Sequence, residues 1–359
     1  MSSIVRTLNN CIDRWIFQSF PAEGYQLALF RIFLASYYLV WTGVPQFSHR
    51  LAAFPEGIFN PPPGLMRLFQ GIPSPTIVQA TDIVLPLLWV MLAIGLFTRV
   101  VSILLSLTMI LFFGFLYSSG KIDHNFIAWL TLLVMAFSNW GKYWSVDAAL
   151  GRASAKTHAW PITLLAMILG YGWFTAGTIK IAGGWLATNA SMSHAFFLRN
   201  YYRTGRSGLL SDWFIQLESP LIWEVLDWMT IIFETGFLVA VFIPVVFRGF
   251  TLMALLFHLM VLLQLNITFS HYQPLYLLFW IPLLRLDGLP AFFAARQRRI
   301  IQVAVGLVLL ALGTHYALGR SPVAFLLAAV KLDQLKTLFT LLLPFVLLAA
   351  GWWWNTRRR

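Results

Sequence analysis

Apolar runs about the length of a membrane span, separated by short polar loops, dominate the chain. A bilayer core of about 30 Å needs about 20 apolar residues in one helix. The pattern therefore predicts an all-α fold, a polytopic integral membrane helical bundle of about nine to ten transmembrane helices. The predicted spans are 25-45, 80-97, 100-117, 124-140, 161-180, 221-244, 249-266, 270-284, 301-317 and 335-354.

The two ends of the chain differ from this apolar middle. Residues 1-24 carry Ile4, Leu8 and Trp15 at near-helical spacing, which predicts an amphipathic helix lying at the membrane interface. Residues 286-359 add further apolar segments and a basic tail, and we interpret them as additional transmembrane helices. No stretch between the ends has the composition of a soluble domain.

Composition and charge support a membrane protein. Hydrophobic residues make up 59% of the chain and charged residues 11%, whereas a soluble domain is about 25% charged; the mean hydropathy is +0.75. The net charge of +12 comes from residues between the apolar runs, so it indicates topology and not nucleic-acid binding. The distribution of lysine and arginine predicts a cytoplasmic N-terminus and places Lys180 near the outer face.

Among the ionisable residues inside predicted spans, three stand out, because an unpaired charge there is costly. They are Arg31 in the first span, Glu234 in the sixth and His258 in the seventh. We expect Arg31 and Glu234 to form a buried ion pair that fixes helix packing. His258 by itself fits an interhelical hydrogen bond.

Lys180 ends an otherwise apolar run, and His124 opens a span near the same face. An amine that is partly withdrawn from water loses solvation of its charged form, so it can serve as a general base. A lysine that only anchors a helix end in the headgroup region is the commoner arrangement, and His124 can simply follow an Asp123 cap. Cys11 is the only cysteine and no metal motif is present, so we expect no metal site.

Four short motifs together resemble those of a known family. They are DHN at 123-125, YWSVDAAL at 143-150, WFTAGTIKIAGGW at 173-185 and FH at 257-258. This combination is similar to that of the horizontally transferred transmembrane (HTTM) domain proteins and of the membrane domain of vitamin K-dependent gamma-carboxylases, over residues 25-285.

The resemblance implies an enzymatic site. Lys180 matches the lysine that acts as the base in the family, and His124 matches a histidine that assists it; Asp123 replaces the family's asparagine. The remaining assignments are His258, Trp185 and Tyr143 in the cofactor pocket, with Arg31, Glu234 and Asp147 as structural residues.

The chemistry implied is that of a quinol-using lyase, carboxylase-like or epoxidase-like. In the family the lysine deprotonates a reduced vitamin K, the product reacts with dioxygen to give a stronger base, and a glutamate side chain is deprotonated and captures carbon dioxide. Menaquinol is an alternative quinol. The implied partners are the bilayer, a lipid quinone and a secreted peptide or protein, in a bacterial inner membrane.

Two departures from the family keep a second hypothesis open. The chain ends soon after its last predicted span, without the large lumenal region of the animal carboxylases, and Val261 stands where their pattern has asparagine. The alternative is a non-enzymatic membrane component, such as a lipid-binding subunit or a subunit of peptide maturation or assembly, in which Lys180 anchors its helix.

Overall fold

The computed structural model describes residues 3–284, with gaps at 53, 55–56, 58, 120–124, 188–190 and 270–272, and isolated positions after 284. Asp123 and His124 therefore lie outside the described residues. The predicted spans 301-317 and 335-354 also lie outside them, apart from those isolated positions.

The described residues form helices, and no β-strand occurs among them. Short π or 3-10 segments directly follow three of the helices, at Tyr37–Thr42, Tyr117–Ser119 and Arg199–Arg203, and two more lie at Leu65–Leu68 and Ile281–Leu283. The α-helices are α1 (Ser3–Gln18), α2 (Gly24–Ser36), α3 (Phe47–Leu51), α4 (Pro75–Ile94), α5 (Thr98–Leu116), α6 (Phe126–Met135), α7 (Val146–Ala149), α8 (Trp160–Ala182), α9 (Met192–Leu198), α10 (Ser211–Ile215), α11 (Pro220–Ala240), α12 (Pro244–Leu265) and α13 (Gln273–Leu278).

Four helices, α4, α5, α8 and α12, are long and apolar enough to cross a membrane by length and composition. They coincide with four of the predicted spans, which are therefore confirmed as long apolar helices. Helix α11 has 21 residues and coincides with the predicted span 221-244. It carries three carboxylates, Glu224, Asp227 and Glu234, which lower its apolar content.

Two predicted spans are shorter in the structure. The run 124-140 contains α6, which has 10 residues, and the run 270-284 contains α13, which has six. At 1.5 Å per residue, α6 is about 15 Å long, half the thickness of a bilayer core. Neither helix is therefore a complete crossing by itself.

The described chain divides into two compact units, which we call the α2–α7 unit (residues 22–161 with 281–284) and the α8–α13 unit (residues 1–21 with 162–280). In the α2–α7 unit, the core is aromatic. Tyr38 stacks on Trp89 with 4.6 Å between ring centroids, and Phe113 stacks on Trp129 with 5.1 Å. These rings lie between α4, α5 and α6, and both tryptophans are fully buried.

The α8–α13 unit is built around α8, α11 and α12. Prolines in the first turn begin α11 and α12, where a missing backbone N–H leaves no donor unsatisfied. The ring of Phe247 packs edge-on against Phe20, Phe237 and Phe279, at centroid distances of 5.5, 5.5 and 4.8 Å. A second buried cluster, of Phe197, Phe214, Trp223 and Leu265, joins α9 and α10 to the helix ends.

Candidate functional site

A lysine and a glutamate meet inside the α8–α13 unit. The Nζ of Lys180, near the end of α8, donates to both carboxylate oxygens of Glu234, in the middle of α11. The side chain of Lys180 is 24% exposed and that of Glu234 is 2% exposed. Among the described residues this is the one ion pair within 4.0 Å. The amine is thus partly accessible, whereas the carboxylate is inaccessible.

Two glycines of α8 allow this meeting. A Cβ on Gly177 would lie 2.8 Å from Thr235 Cγ2 and 3.0 Å from Glu234 Cβ, and a Cβ on Gly170 would lie 2.6 Å from Val241 Cγ2. The two glycines are seven residues apart, so they share one face of α8. Close backbone approach through small residues is typical of helix pairs in membranes. The contacts run in opposite directions along the two helices, so α8 and α11 are antiparallel.

Trp185 lies beside the same amine. Helix α8 ends in a turn in which Trp185 N donates to the Lys180 carbonyl (3.2 Å) and Gly184 has φ +84. This turn folds the indole back, with Lys180 Nζ 5.2 Å from its ring centroid. A cation over an indole face is a favourable contact. The structure therefore brings together two residues that the sequence assigned to one site.

His258 lies in an aromatic cluster of the same unit. Its ring stacks on Trp173 of α8 (5.5 Å between centroids) and on Phe269 (4.3 Å). Trp173 also stacks on Phe237 of α11, at 5.6 Å. Because Trp173 precedes Lys180 by seven residues, two turns of α8, both side chains project from the same face of that helix. The aromatic cluster therefore extends along α8 and α11 from the Lys180–Glu234 pair.

The α2–α7 unit holds three other assigned residues, Arg31, Tyr143 and Asp147. Arg31 is fully buried and donates to the carbonyls of Trp144 (2.6 Å) and Trp140 (3.4 Å). Glu234 is bound by Lys180 within the α8–α13 unit. The predicted ion pair between Arg31 and Glu234 is therefore wrong, since each group finds its partners within its own unit.

Asp147 and Tyr143 have packing roles in the α2–α7 unit. The carboxylate of Asp147 accepts from Phe97 N (2.8 Å), Thr98 N (2.7 Å) and Thr98 Oγ1 (2.7 Å), and so caps the first turn of α5. The ring of Tyr143 packs against Gly24, where a Cβ would lie 2.8 Å from Tyr143 Cε2. His124, the second predicted catalytic residue, lies outside the described residues.

Sequence reasoning missed three features of the α8–α13 unit. It gave Glu234 the wrong cation, and it did not single out Trp173. One signal was available, because Gly170 and Gly177 mark a small-residue face on α8, and that face ends at Lys180. A second acid of α11, Asp227, was also missed: it is fully buried and accepts from the backbone N–H groups of residues 192 (2.9 Å) and 193 (2.7 Å).

Within the described part of the chain, no group of three or more His, Cys, Asp or Glu side chains is placed to hold a metal ion. Comparison with known proteins finds no matching family model, no matching curated protein and no matching solved structure.

Proposed function

We propose that this chain is a multi-pass membrane protein in which the Lys180–Glu234 pair transfers a proton from a lipid-soluble quinol, as the first step of a carboxylase-like or epoxidase-like reaction. The observation that carries the proposal is the pairing itself, a reachable ammonium against an inaccessible carboxylate between two apolar helices. The resemblance to HTTM proteins and vitamin K-dependent carboxylases supports it through the matched position of Lys180.

The membrane setting has its own support. Besides the length of α4, α5, α8 and α12, their outward faces carry exposed apolar side chains, such as Leu87 on α4, Leu104 on α5 and Met253 on α12. Soluble monomers rarely leave wide apolar patches in water. A bilayer would cover them. On this proposal the N-terminus is cytoplasmic and Lys180 lies near the outer face of a bacterial inner membrane.

The pair can hold one proton in two arrangements. The proton lies on Lys180, as ammonium and carboxylate, or on Glu234, as neutral amine and carboxylic acid. The net charge is zero in both, so the pair can pass the proton between its members without changing its overall charge. In the second arrangement the amine can accept a proton from a phenolic hydroxyl, and the resulting ammonium stays next to the oxygen that gave up the proton.

The surroundings fit a ring-bearing lipid. Trp185 offers an indole face next to the amine, and Trp173 offers another farther along α8. Ile179 and Ile181, on either side of Lys180, are exposed on an apolar helix, which suits approach from the bilayer. Bound reduced vitamin K or menaquinol would supply the oxidation chemistry with dioxygen, and carbon dioxide would be a co-substrate if a peptide or protein is carboxylated.

The test uses an arginine substitution. Purified protein in lipid nanodiscs is given reduced vitamin K or menaquinol and oxygen, and quinone epoxide is measured by chromatography. Lys180→Arg keeps a cation beside Glu234, but arginine does not release its proton in proteins. We expect wild type to form epoxide, and both Lys180→Arg and Lys180→Met to lose it. Arginine activity equal to wild type contradicts the proposal, and so does the absence of epoxide from folded wild type.

One observation favours a non-enzymatic component instead. Both oxygens of Glu234 bind Lys180, so the pair can act as a clasp that holds α8 against α11. A clasp requires only a cation, so Lys180→Arg would then leave helix packing and any partner binding unchanged. The same variant therefore separates the two candidate functions.

A further inference from the structure

A cavity of about 410 Å³ lies in the α2–α7 unit, away from Lys180 along the chain. Its walls are the first turn of α5, the residues that follow α6, and the loop 151–160 that leads into α8. Arg99, Arg152 and Lys156 line it, together with His158 and the single carboxylate of Asp147. None of these residues has a place in the quinol chemistry proposed above.

The charges of this cavity are unbalanced. Three cations face one carboxylate, an excess of two positive charges before His158 is counted. The Asp147 carboxylate is buried and already accepts three hydrogen bonds from residues 97 and 98. None of the three cations lies within 4.0 Å of a carboxylate in the described part of the chain. The lining side chains therefore give the cavity a net positive charge.

Each of the two guanidinium groups lies over an aromatic ring. The Cζ of Arg99 lies 4.9 Å from the ring centroid of Phe137, and the Cζ of Arg152 lies 5.2 Å from that of Phe97. Stacking uses the face of a guanidinium and leaves the N–H groups along its edge available. Such a pre-oriented edge matches the oxygens of a phosphate, and less side-chain freedom is lost on binding.

The loop that carries two of the cations is hydrogen-bonded to the residues that follow α6. Asn139, in a left-handed conformation with φ +62, donates through Nδ2 to the carbonyls of Ser154 and Lys156, both at 2.7 Å. The backbone N–H of His158 donates to the Ser138 carbonyl at 3.2 Å. The cavity wall is thus set by hydrogen bonds within the unit.

Its position points to a lipid. The cavity lies where α5 begins, and α5 is one of the four helices long enough and apolar enough to cross a membrane. Val100, Leu104 and Leu107 of α5 are about half exposed and recur at helical spacing from the cavity outward along α5. Basic pockets between membrane helices on the cytoplasmic side are typical of sites for anionic headgroups.

We infer that this cavity binds the phosphate headgroup of an anionic phospholipid, with an acyl chain along the exposed stripe of α5. A soluble phosphate would use the same cations, but it would leave the apolar stripe uncovered. The inference needs only that α5 lies in a membrane, and it is independent of any reaction at Lys180.

The test is native mass spectrometry of the full chain in detergent, titrated with phosphatidylglycerol or phosphatidylcholine. We expect phosphatidylglycerol to bind wild type more tightly than phosphatidylcholine does. The double variant Arg99→Gln/Arg152→Gln should weaken that binding about twenty-fivefold, about fivefold for each cation removed. The matched control, Arg203→Gln/Arg206→Gln, removes two exposed cations outside the cavity and should bind like wild type.

Three results would overturn the inference. Equal affinity for the two lipids is one, and unchanged phosphatidylglycerol binding in the double variant is another. Displacement of phosphatidylglycerol by inorganic phosphate or glycerol phosphate would assign the cavity to a soluble ligand instead. If circular dichroism shows that the double variant is misfolded, Lys156→Gln replaces it, since Lys156 is an exposed loop residue. We expect Lys156→Gln to lower the affinity for phosphatidylglycerol about fivefold. An unchanged affinity would contradict the inference.

Discussion

The Lys180–Glu234 pair should respond very differently to the loss of its two members. Glu234 is 2% exposed and lies against helix backbone, whereas Lys180 is 24% exposed and carries a long flexible stem. Removing the lysine leaves a carboxylate with no route to water. Removing the carboxylate leaves an ammonium that can extend toward the helix end and the headgroups. The difference in burial therefore predicts that losing Lys180 destabilises the protein more than losing Glu234.

The magnitudes follow from that difference. Lys180→Met keeps the stem and removes the charge, and stranding a buried charge reduces the free energy of unfolding by about 3–5 kcal/mol. Glu234→Gln should reduce it by about 1–2 kcal/mol, since the ammonium stays partly solvated. The double variant leaves no charge stranded, so we expect it to be more stable than Lys180→Met, with a coupling free energy of about 3 kcal/mol.

Reversible unfolding in mixed micelles, followed by circular dichroism during titration with denaturing detergent, gives the four free energies. Lys180→Arg is the matched control, because it retains a cation for Glu234 and should stay near wild type. Additive losses, or a double variant no more stable than Lys180→Met, would refute the reasoning, since both mean that Glu234 does not depend on Lys180.

Three further substitutions test the packing around the two units. Gly95→Ala should lower the melting temperature measurably, because the residue has φ +69 and a Cβ would lie 2.3 Å from both Arg31 Nη1 and Ser145 Cβ; a shift of zero in a thermal melt contradicts this. Asp147→Ala removes the acceptor for two buried backbone N–H groups and should destabilise the protein by about 2–3 kcal/mol, measured as above, with Asp147→Asn intermediate. Gly177→Val should separate α8 from α11 and reduce the efficiency of a disulfide engineered between those helices; unchanged cross-linking would show that the glycine contact is dispensable.

The sequence predicted the long helices well because their signal is one-dimensional. An apolar run of sufficient length predicts α4, α5, α8 and α12 without any knowledge of their neighbours. The prediction of helices failed where a tertiary contact interrupts the helix inside an apolar run. Asn139 takes φ +62 and bonds to loop carbonyls soon after α6 ends, so that the run 124-140 is not one helix.

The same limit applies to residues 281–284, at the end of a predicted span. The side-chain amide of Gln26 donates to the carbonyls of Pro282 (3.2 Å) and Leu284 (2.9 Å), far away along the chain. Carbonyls that bond to a side chain of α2 are not committed to a helical hydrogen-bond ladder. Hydropathy alone contains no information about such a partner, so the run 270-284 was extended too far.

The site was predicted in part for a related reason. Lys180 and Trp185 are five residues apart, so a turn at the end of α8 suffices to bring them together, and the sequence indicates such a turn through Gly183 and Gly184. The partner of Glu234 depends on which helices are neighbours and in what register. Arg31 and Glu234 are two buried charges of opposite sign, so composition made an ion pair between them a reasonable prediction. Composition does not show, however, which helices are neighbours or in what register they pack.

Four carboxylates of the described chain differ in the group that donates hydrogen bonds to them. Three of them, Asp82, Asp147 and Asp227, each accept hydrogen bonds from two backbone N–H groups at the beginning of a helix. This arrangement holds the chain in place. A peptide N–H does not give up its proton near neutral pH, so these contacts provide no proton to transfer. Glu234 instead meets the ammonium of Lys180, a group that can give up its proton and recover it. Of these four acids, Glu234 is therefore the one whose partner can take part in proton transfer, and this is the physical reason for placing the proposed chemistry in the α8–α13 unit.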